Sequence, residues 1–181
     1  PELDIFHNYS CVCEGKEQQV LDVVCLDKGN LLVATDAGIL LFDSRRGRFD
    51  RTQIPADLQK IRPRTLARYG DEVYIGSYQG LFACSLEDGS VRALFTGDYS
   101  LPLILAILKE TDTCLWVGTE GDGLYCLNPV TGERRKYKDG KGGIKLQLYS
   151  LAGFGYVWKP VGGHVDFTEC VRGKDRPLCG V

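Results

Sequence analysis

The chain has 181 residues, 44% apolar, 25% charged and 10% aromatic, the make-up of a globular protein able to bury a core of its own. Its net charge of −2 excludes a strong general attraction to nucleic acid or to anionic membrane. No stretch approaches the roughly 18 consecutive apolar residues of a membrane-spanning helix, so no direct membrane contact is expected of this segment.

Residues 1–19 carry one strand-like run, Ile5-Phe6-His7-Asn8-Tyr9, and a linker. No signal peptide precedes Pro1, and a chain that begins at proline and holds no Met reads as a segment of a longer protein. From residue 20 the sequence repeats itself. In the first unit, residues 20–60, strands are predicted at 20–26, at Leu32-Val33-Ala34-Thr35, from Gly38-Ile39-Leu40 onward and at 48–52. The second unit, 61–100, places them at 65–68, Tyr74-Ile75-Gly76-Ser77, Gly80-Leu81-Phe82 and 90–94. The third, 101–143, places them at 104–108, Trp116-Val117-Gly118-Thr119, Gly123-Leu124-Tyr125 and 133–137. The second-strand motifs lie 42 residues apart, and nine residues after each third-strand glycine comes another, Gly47, Gly89 or Gly132. Those three sit in turn sequences, where glycine is free to take positive φ. A fourth, degenerate unit occupies 144–181: residues 148–151 supply its first strand and Trp158 its second. Gly162-Gly163 takes the place of the glycine that starts its third strand, and Pro177 falls in the outer strand, which a free edge tolerates.

Short strands joined by hairpin-length loops specify an all-β fold. A four-stranded sheet that is apolar on both faces cannot hide them alone, and stacking such sheets around an axis buries both. The prediction is therefore a β-propeller of about four four-stranded blades of ~42 residues. The run at residues 5–9 reads as the outer strand of a preceding blade, which makes the chain part of a larger ring. Trp116, Tyr74 and Trp158 share one repeat position and are expected between blades.

Eight cysteines and two histidines form no C-x-x-C pair and no ligand set for a metal. Neither metal nor cofactor is expected. Cys25, Cys84, Cys114 and Cys126 read as buried thiols, while Cys170 and Cys179 could close a hairpin-sized disulfide in an exported protein. The glycines from Gly118 to Gly123 lead into a strand rather than a helix, which argues against a phosphate loop. The runs Arg45-Arg46-Gly47-Arg48 and Arg134-Arg135-Lys136 are read as rim charge that keeps an edge from pairing. No catalytic constellation can be assembled from two histidines, so the segment is not read as an enzyme.

The third copy closely resembles the two-component regulator propeller repeat. It carries Leu115-Trp116-Val117-Gly118-Thr119, then Gly123-Leu124-Tyr125, then Asn128-Pro129-Val130-Thr131-Gly132. The first copy keeps Ala34-Thr35, Gly38 and Asp43, and the second keeps Tyr74 through Ser77 and Gly80-Leu81-Phe82. Such repeats form the periplasmic sensor region of hybrid two-component systems, ahead of a β-sandwich, a membrane helix and a histidine kinase. The resemblance implies a periplasmic, ligand-sensing propeller fragment, with an oligosaccharide as ligand. Its partners would be the remaining blades and the downstream sandwich and kinase regions. Exposed blade edges also leave a homodimer open.

Loops held by a rigid scaffold commonly carry binding. Propeller geometry groups Asp36, Tyr78, Gln79, Asp98, Tyr99, Glu120, Asp122 and His164 as candidate ligand contacts. The tyrosines would stack on sugar rings and the polar groups would take hydroxyls. The competing reading is a protein-interaction scaffold without a small ligand. A propeller enzyme, needing Glu120, Asp122 and His164 as an acid/base set, is the third.

Overall fold

A computed structural model of the chain describes residues 8–27, 29–96 and 103–137, together with the backbone of 146–149 and 157–160. Two units are distinguished, Pro1–Tyr137 and Lys138–Val181. The first holds a small hairpin, β1 (Val12–Cys13) and β2 (Lys16–Glu17), and three four-stranded antiparallel sheets. The first sheet is β3 (Val20–Cys25), β4 (Asn30–Thr35), β5 (Gly38–Asp43) and β6 (Arg48–Asp50). The second is β7 (Pro63–Tyr69), β8 (Glu72–Ser77), β9 (Gly80–Ser85) and β10 (Val91–Phe95). The third is β11 (Ile104–Thr111), β12 (Cys114–Thr119), β13 (Gly123–Leu127) and β14 (Arg134–Tyr137). Each sheet is a meander whose strands pair in sequence order, as a propeller blade requires.

In the second unit β15 (Leu146–Tyr149) pairs antiparallel with β16 (Val157–Pro160), with Leu148 and Trp158 partners in the backbone register. These are the first two strands expected of the degenerate copy. Its loop, its outer strand, Cys170 and Cys179 lie outside the described residues. So does most of the run at residues 5–9, of which Asn8 and Tyr9 belong to no strand.

Alternation along the strands explains the stacking. Side chains of a strand point alternately to its two faces. In β8, Val73 and Ile75 pack with Leu32, Ala34 and Ile39 of the first sheet, while Tyr74 packs with Ile107, Leu115 and Val117 of the third. The second blade is thus apolar on both sides, and Val73, Ile75 and Leu81 are wholly shielded from solvent. The short 3-10 turn at Leu58–Lys60 adds Leu58 to the first of these interfaces. The outer face of the first sheet is covered in part by Cys11 and Cys13 of the hairpin segment and by Tyr9, whose ring lies edge-on to Phe42. Cys25, expected to be buried, is exposed, because it lies on that same outer face, opposite Leu31.

The repeat motif has a chemical meaning at each of its fixed positions. The hydroxyl that ends the second strand donates to the carbonyl of the third-strand glycine: Thr35 to Gly38 (2.8 Å), Ser77 to Gly80 (2.8 Å) and Thr119 to Gly123 (2.7 Å). After the third strand, Asp43, Ser85 or Asn128 accepts from the backbone N–H groups two and three residues on, forming a side-chain-closed turn. Gly47, Gly89 and Gly132 complete these turns at φ 63°, 71° and 76°.

Polar ties cross between blades as well. Glu72 Oε1 pairs with Arg92 at 2.6 Å, and Glu72 Oε2 accepts from the Tyr74 hydroxyl at 2.7 Å. Arg92 then donates to the carbonyl of Pro129 in the third blade at 2.7 Å. Burial works to raise the Glu72 carboxyl, but hydrogen bonds from Arg92 and Tyr74 outweigh it, and the group ionises below its ordinary 4.5. A carboxylate depressed on folding contributes stability above its unfolded pKa and loses it as pH falls through the folded value. Glu72→Gln is expected to be less stable than wild type at pH 7, with the gap closing as acid protonates the carboxylate. Urea midpoints from pH 7 to pH 3 check this, and a gap that stays constant with pH would exclude it.

Candidate functional site

The loops between second and third strands lie at the same end of their blades as the start of the first strand. Backbone hydrogen bonds make that link in all three: Asp36 N–H to Gln19 O (3.2 Å), Tyr78 N–H to Arg62 O (3.3 Å) and Glu120 N–H to Leu103 O (2.8 Å). Asp36, Tyr78, Gln79, Glu120 and Asp122 therefore occupy corresponding ends of successive sheets. Asp98, Tyr99 and His164 lie outside the described residues.

The five are not equally available. Asp36 Oδ1 accepts from the backbone N–H of Gln19 at 2.9 Å, and Gln79 Oε1 accepts from that of Arg62 at 3.0 Å. Both side chains thus clip a loop to the chain entering its own blade. Asp122 accepts from the Tyr125 hydroxyl and from Lys136, an arrangement that also holds Lys136 protonated. Glu120 is exposed. Tyr78 is 58% exposed, with the Arg62 guanidinium 5.9 Å from its ring centre. Among the described candidates, Tyr78 presents an open aromatic surface, beside a cation and an amide.

The hairpin β1–β2 creates a feature that sequence reasoning missed. A hollow of about 340 Å³ lies between the hairpin and the Thr35–Ala37 loop, lined by Lys16, Gln18, Thr35 and Arg51 among others. Arg51 donates to the carbonyl of Ala37 at 2.5 Å, while its Nε is buried without a hydrogen-bond partner in the described structure. Such a buried donor is costly unless something accepts from it. The hollow opens at the same end of the first blade as its second-to-third-strand loop.

The basic runs divide between rim and interface. Arg46 and Arg48 pair loosely with Asp43 and Asp50 on their own blade, at 3.6 and 3.9 Å. Arg134 instead places its guanidinium 4.5 Å from the ring centre of Phe95 in the neighbouring blade. Among the described residues no group of three or more His, Cys, Asp or Glu side chains is placed to hold a metal ion, and no helix is long and apolar enough to cross a membrane.

No family model matches the sequence, and no curated protein matches it either. Solved structures do. Two crystal structures of one extracellular domain from B. thetaiotaomicron, described once as a one-component and once as a hybrid two-component system, are 27% and 25% identical to this chain. They cover 74% and 72% of it, with TM-scores of 0.54 and 0.57. The chain spans only 17% and 18% of those structures' length. The extracellular domain of a second hybrid two-component system from that organism is 15% identical and covers 82% of this chain and 21% of its own, with a TM-score of 0.55; it shows the fold alone. These structures are extracellular domains of one- or two-component systems, in agreement with the resemblance of the third copy to the two-component regulator propeller repeat, and the described sheets are blades consistent with a larger propeller.

Proposed function

We propose that this chain is a run of blades from the periplasmic, ligand-sensing propeller of a hybrid two-component sensor, and that its ligand is an oligosaccharide. The observation that carries the sensor reading is the 25% identity over 72% of the chain to a structure described as the extracellular domain of such a system. Two features favour a sugar. Tyr78 offers an open ring on which the C–H face of a saccharide can stack, next to Arg62. The hollow at the first blade supplies donors, from Arg51, Lys16 and Gln18, for hydroxyl or carboxylate oxygens. Both features sit at the loop end of their blades, where a rigid scaffold fixes a binding group's position.

A ligand could signal only by binding two arrangements of the propeller with different affinity, the rest of the ring and the downstream sandwich and kinase regions reading out the shift. A ligand that binds only the folded state raises the melting temperature, with the logarithm of its concentration once that exceeds the dissociation constant. A panel of neutral and acidic oligosaccharides is expected to contain one that stabilises the protein. Tyr78→Ala should abolish that shift while leaving the unliganded melting point within about 1 °C, since exposed substitutions away from the core cost little. A panel with no stabilising member, alongside capture of a defined protein partner, would favour the interaction-scaffold reading instead.

A further inference from the structure

The third blade carries two cysteines that neither the repeat motif nor the proposed site employs. Cys114 opens β12, and Cys126 lies in β13 opposite Trp116. Both point to the face of the third sheet turned away from the second, since Leu115, Val117, Tyr125 and Leu127 point towards it. Their Sγ atoms are 2.8 Å apart, nearer than two unbonded sulfurs ordinarily rest.

The two are diagonal neighbours, and diagonal pairs in a sheet stand about 7–8 Å apart. That is beyond ordinary disulfide reach, roughly 4.4–6.8 Å between Cα atoms, unless the backbone shifts. The strand end relieves the constraint. The ladder between β12 and β13 begins at Leu115–Leu127, so Cys114 has no partner on β13 to hold its backbone in register. It follows the turn at Asp112 and Thr113, and the pairing of β11 with β12 shifts register just before that turn, between Lys109 and Thr111. Both residues are half-buried, so a small oxidant has access to them.

We infer that Cys114 and Cys126 form a modification site of this protein: they close a disulfide that fastens the second strand of the third blade to its third. The oxidant is a disulfide donor, a small-molecule disulfide or a dithiol–disulfide oxidoreductase. One cysteine, as thiolate, attacks a donor sulfur and releases one donor thiolate. The other then attacks the mixed disulfide at the cysteine sulfur and releases the second. Two S–H bonds are lost, one S–S bond forms, and the two electrons reduce the donor to two thiols, which take up the two protons. The occurrence of the bond in the cell rests on the periplasmic reading, because disulfides persist in oxidising compartments. Its chemistry does not.

The test is therefore made in vitro. The purified, fully reduced chain is equilibrated with oxidised glutathione, its free thiols are alkylated, and it is digested without reduction. The expected result is one cross-linked peptide joining Cys114 to Cys126, two hydrogens lighter, with Cys25 still alkylated. Cys114→Ser should leave Cys126 open to alkylation, and Cys126→Ser should do the same for Cys114. Alkylation of both residues in the oxidised wild type, or glutathione attached to each, would overturn the inference. None of these outcomes depends on whether the sensor reading holds.

Discussion

Gly80→Ala is expected to destabilise the protein by about 4 kcal/mol or more, the sum of backbone strain and a steric clash with no easy relief. Gly80 opens the third strand of the middle blade at φ 126°, where L-residues seldom go. A Cβ built there would stand 2.0 Å from the carbonyl oxygen of Phe95 and 3.3 Å from the Cα of Thr96. Both are backbone atoms at the end of the outer strand, so moving them means moving the strand. Phe95 is itself buried between the second and third blades and packs at a tilt against Tyr125, ring centres 5.2 Å apart, which spreads the disturbance into the neighbouring interface. Gly121→Ala supplies the control. Gly121 also has positive φ, 79°, but a Cβ there meets nothing within 4 Å, so only strain of about 1–2 kcal/mol is expected. Urea unfolding of the two variants separates strain from clash, and equal midpoints would show that the close approach to Phe95 carries no weight.

Asp22→Ala is expected to cost about 3 kcal/mol by leaving inter-blade donors without their acceptor. Asp22 lies on the first strand of the first blade, yet its Oδ2 accepts from the backbone N–H of Leu66 at 2.8 Å and from the Thr65 hydroxyl at 3.0 Å, both on the second blade. Its Oδ1 takes the N–H of Val23 at 2.8 Å. The pairing of β7 with β8 shifts register between Pro63 and Thr65, so the ladder is interrupted just where the carboxylate arrives. One carboxylate thus fastens the innermost strands of two blades. Asp22→Asn keeps one acceptor oxygen and is expected to recover part of the loss. A double-mutant cycle with Thr65→Val isolates the cross-blade bond; a coupling energy near zero would assign the Asp22 effect to its own strand alone.

These positions show how legibility divides. The glycine that begins each third strand, and the Thr or Ser before it, were visible as a repeat because the same turn is built each time from neighbours three or four residues apart. Asp36 and Gln79 read as candidate ligand contacts, and their second role was hidden because a polar side chain in a loop looks the same whether or not it also clips a backbone. Their partners, Gln19 and Arg62, each lie 17 residues earlier, a regularity that shows only once the blades are aligned on their first strands. The hairpin at Val12–Glu17 escaped notice for another reason. Its turn places Glu14 at φ 52° and Gly15 at φ 76°, and a Glu in the left-handed region is not the Asn or Asp that usually announces such a turn. With the hairpin unseen, the hollow it forms with Arg51 was unseen too.

What the sequence determined by itself was the blade: strand boundaries within a few residues, the turn chemistry and the two-sided apolar pattern are local, and local spacing encodes them. What only the tertiary structure decided was how each polar group is spent. Whether Asp36 stands alone in its loop or holds the Gln19 backbone, whether Arg134 stands at the rim or over Phe95, and whether Cys114 meets Cys126 depend on contacts across strands and blades. Those contacts are set by packing between sheets, which no spacing along one chain segment records.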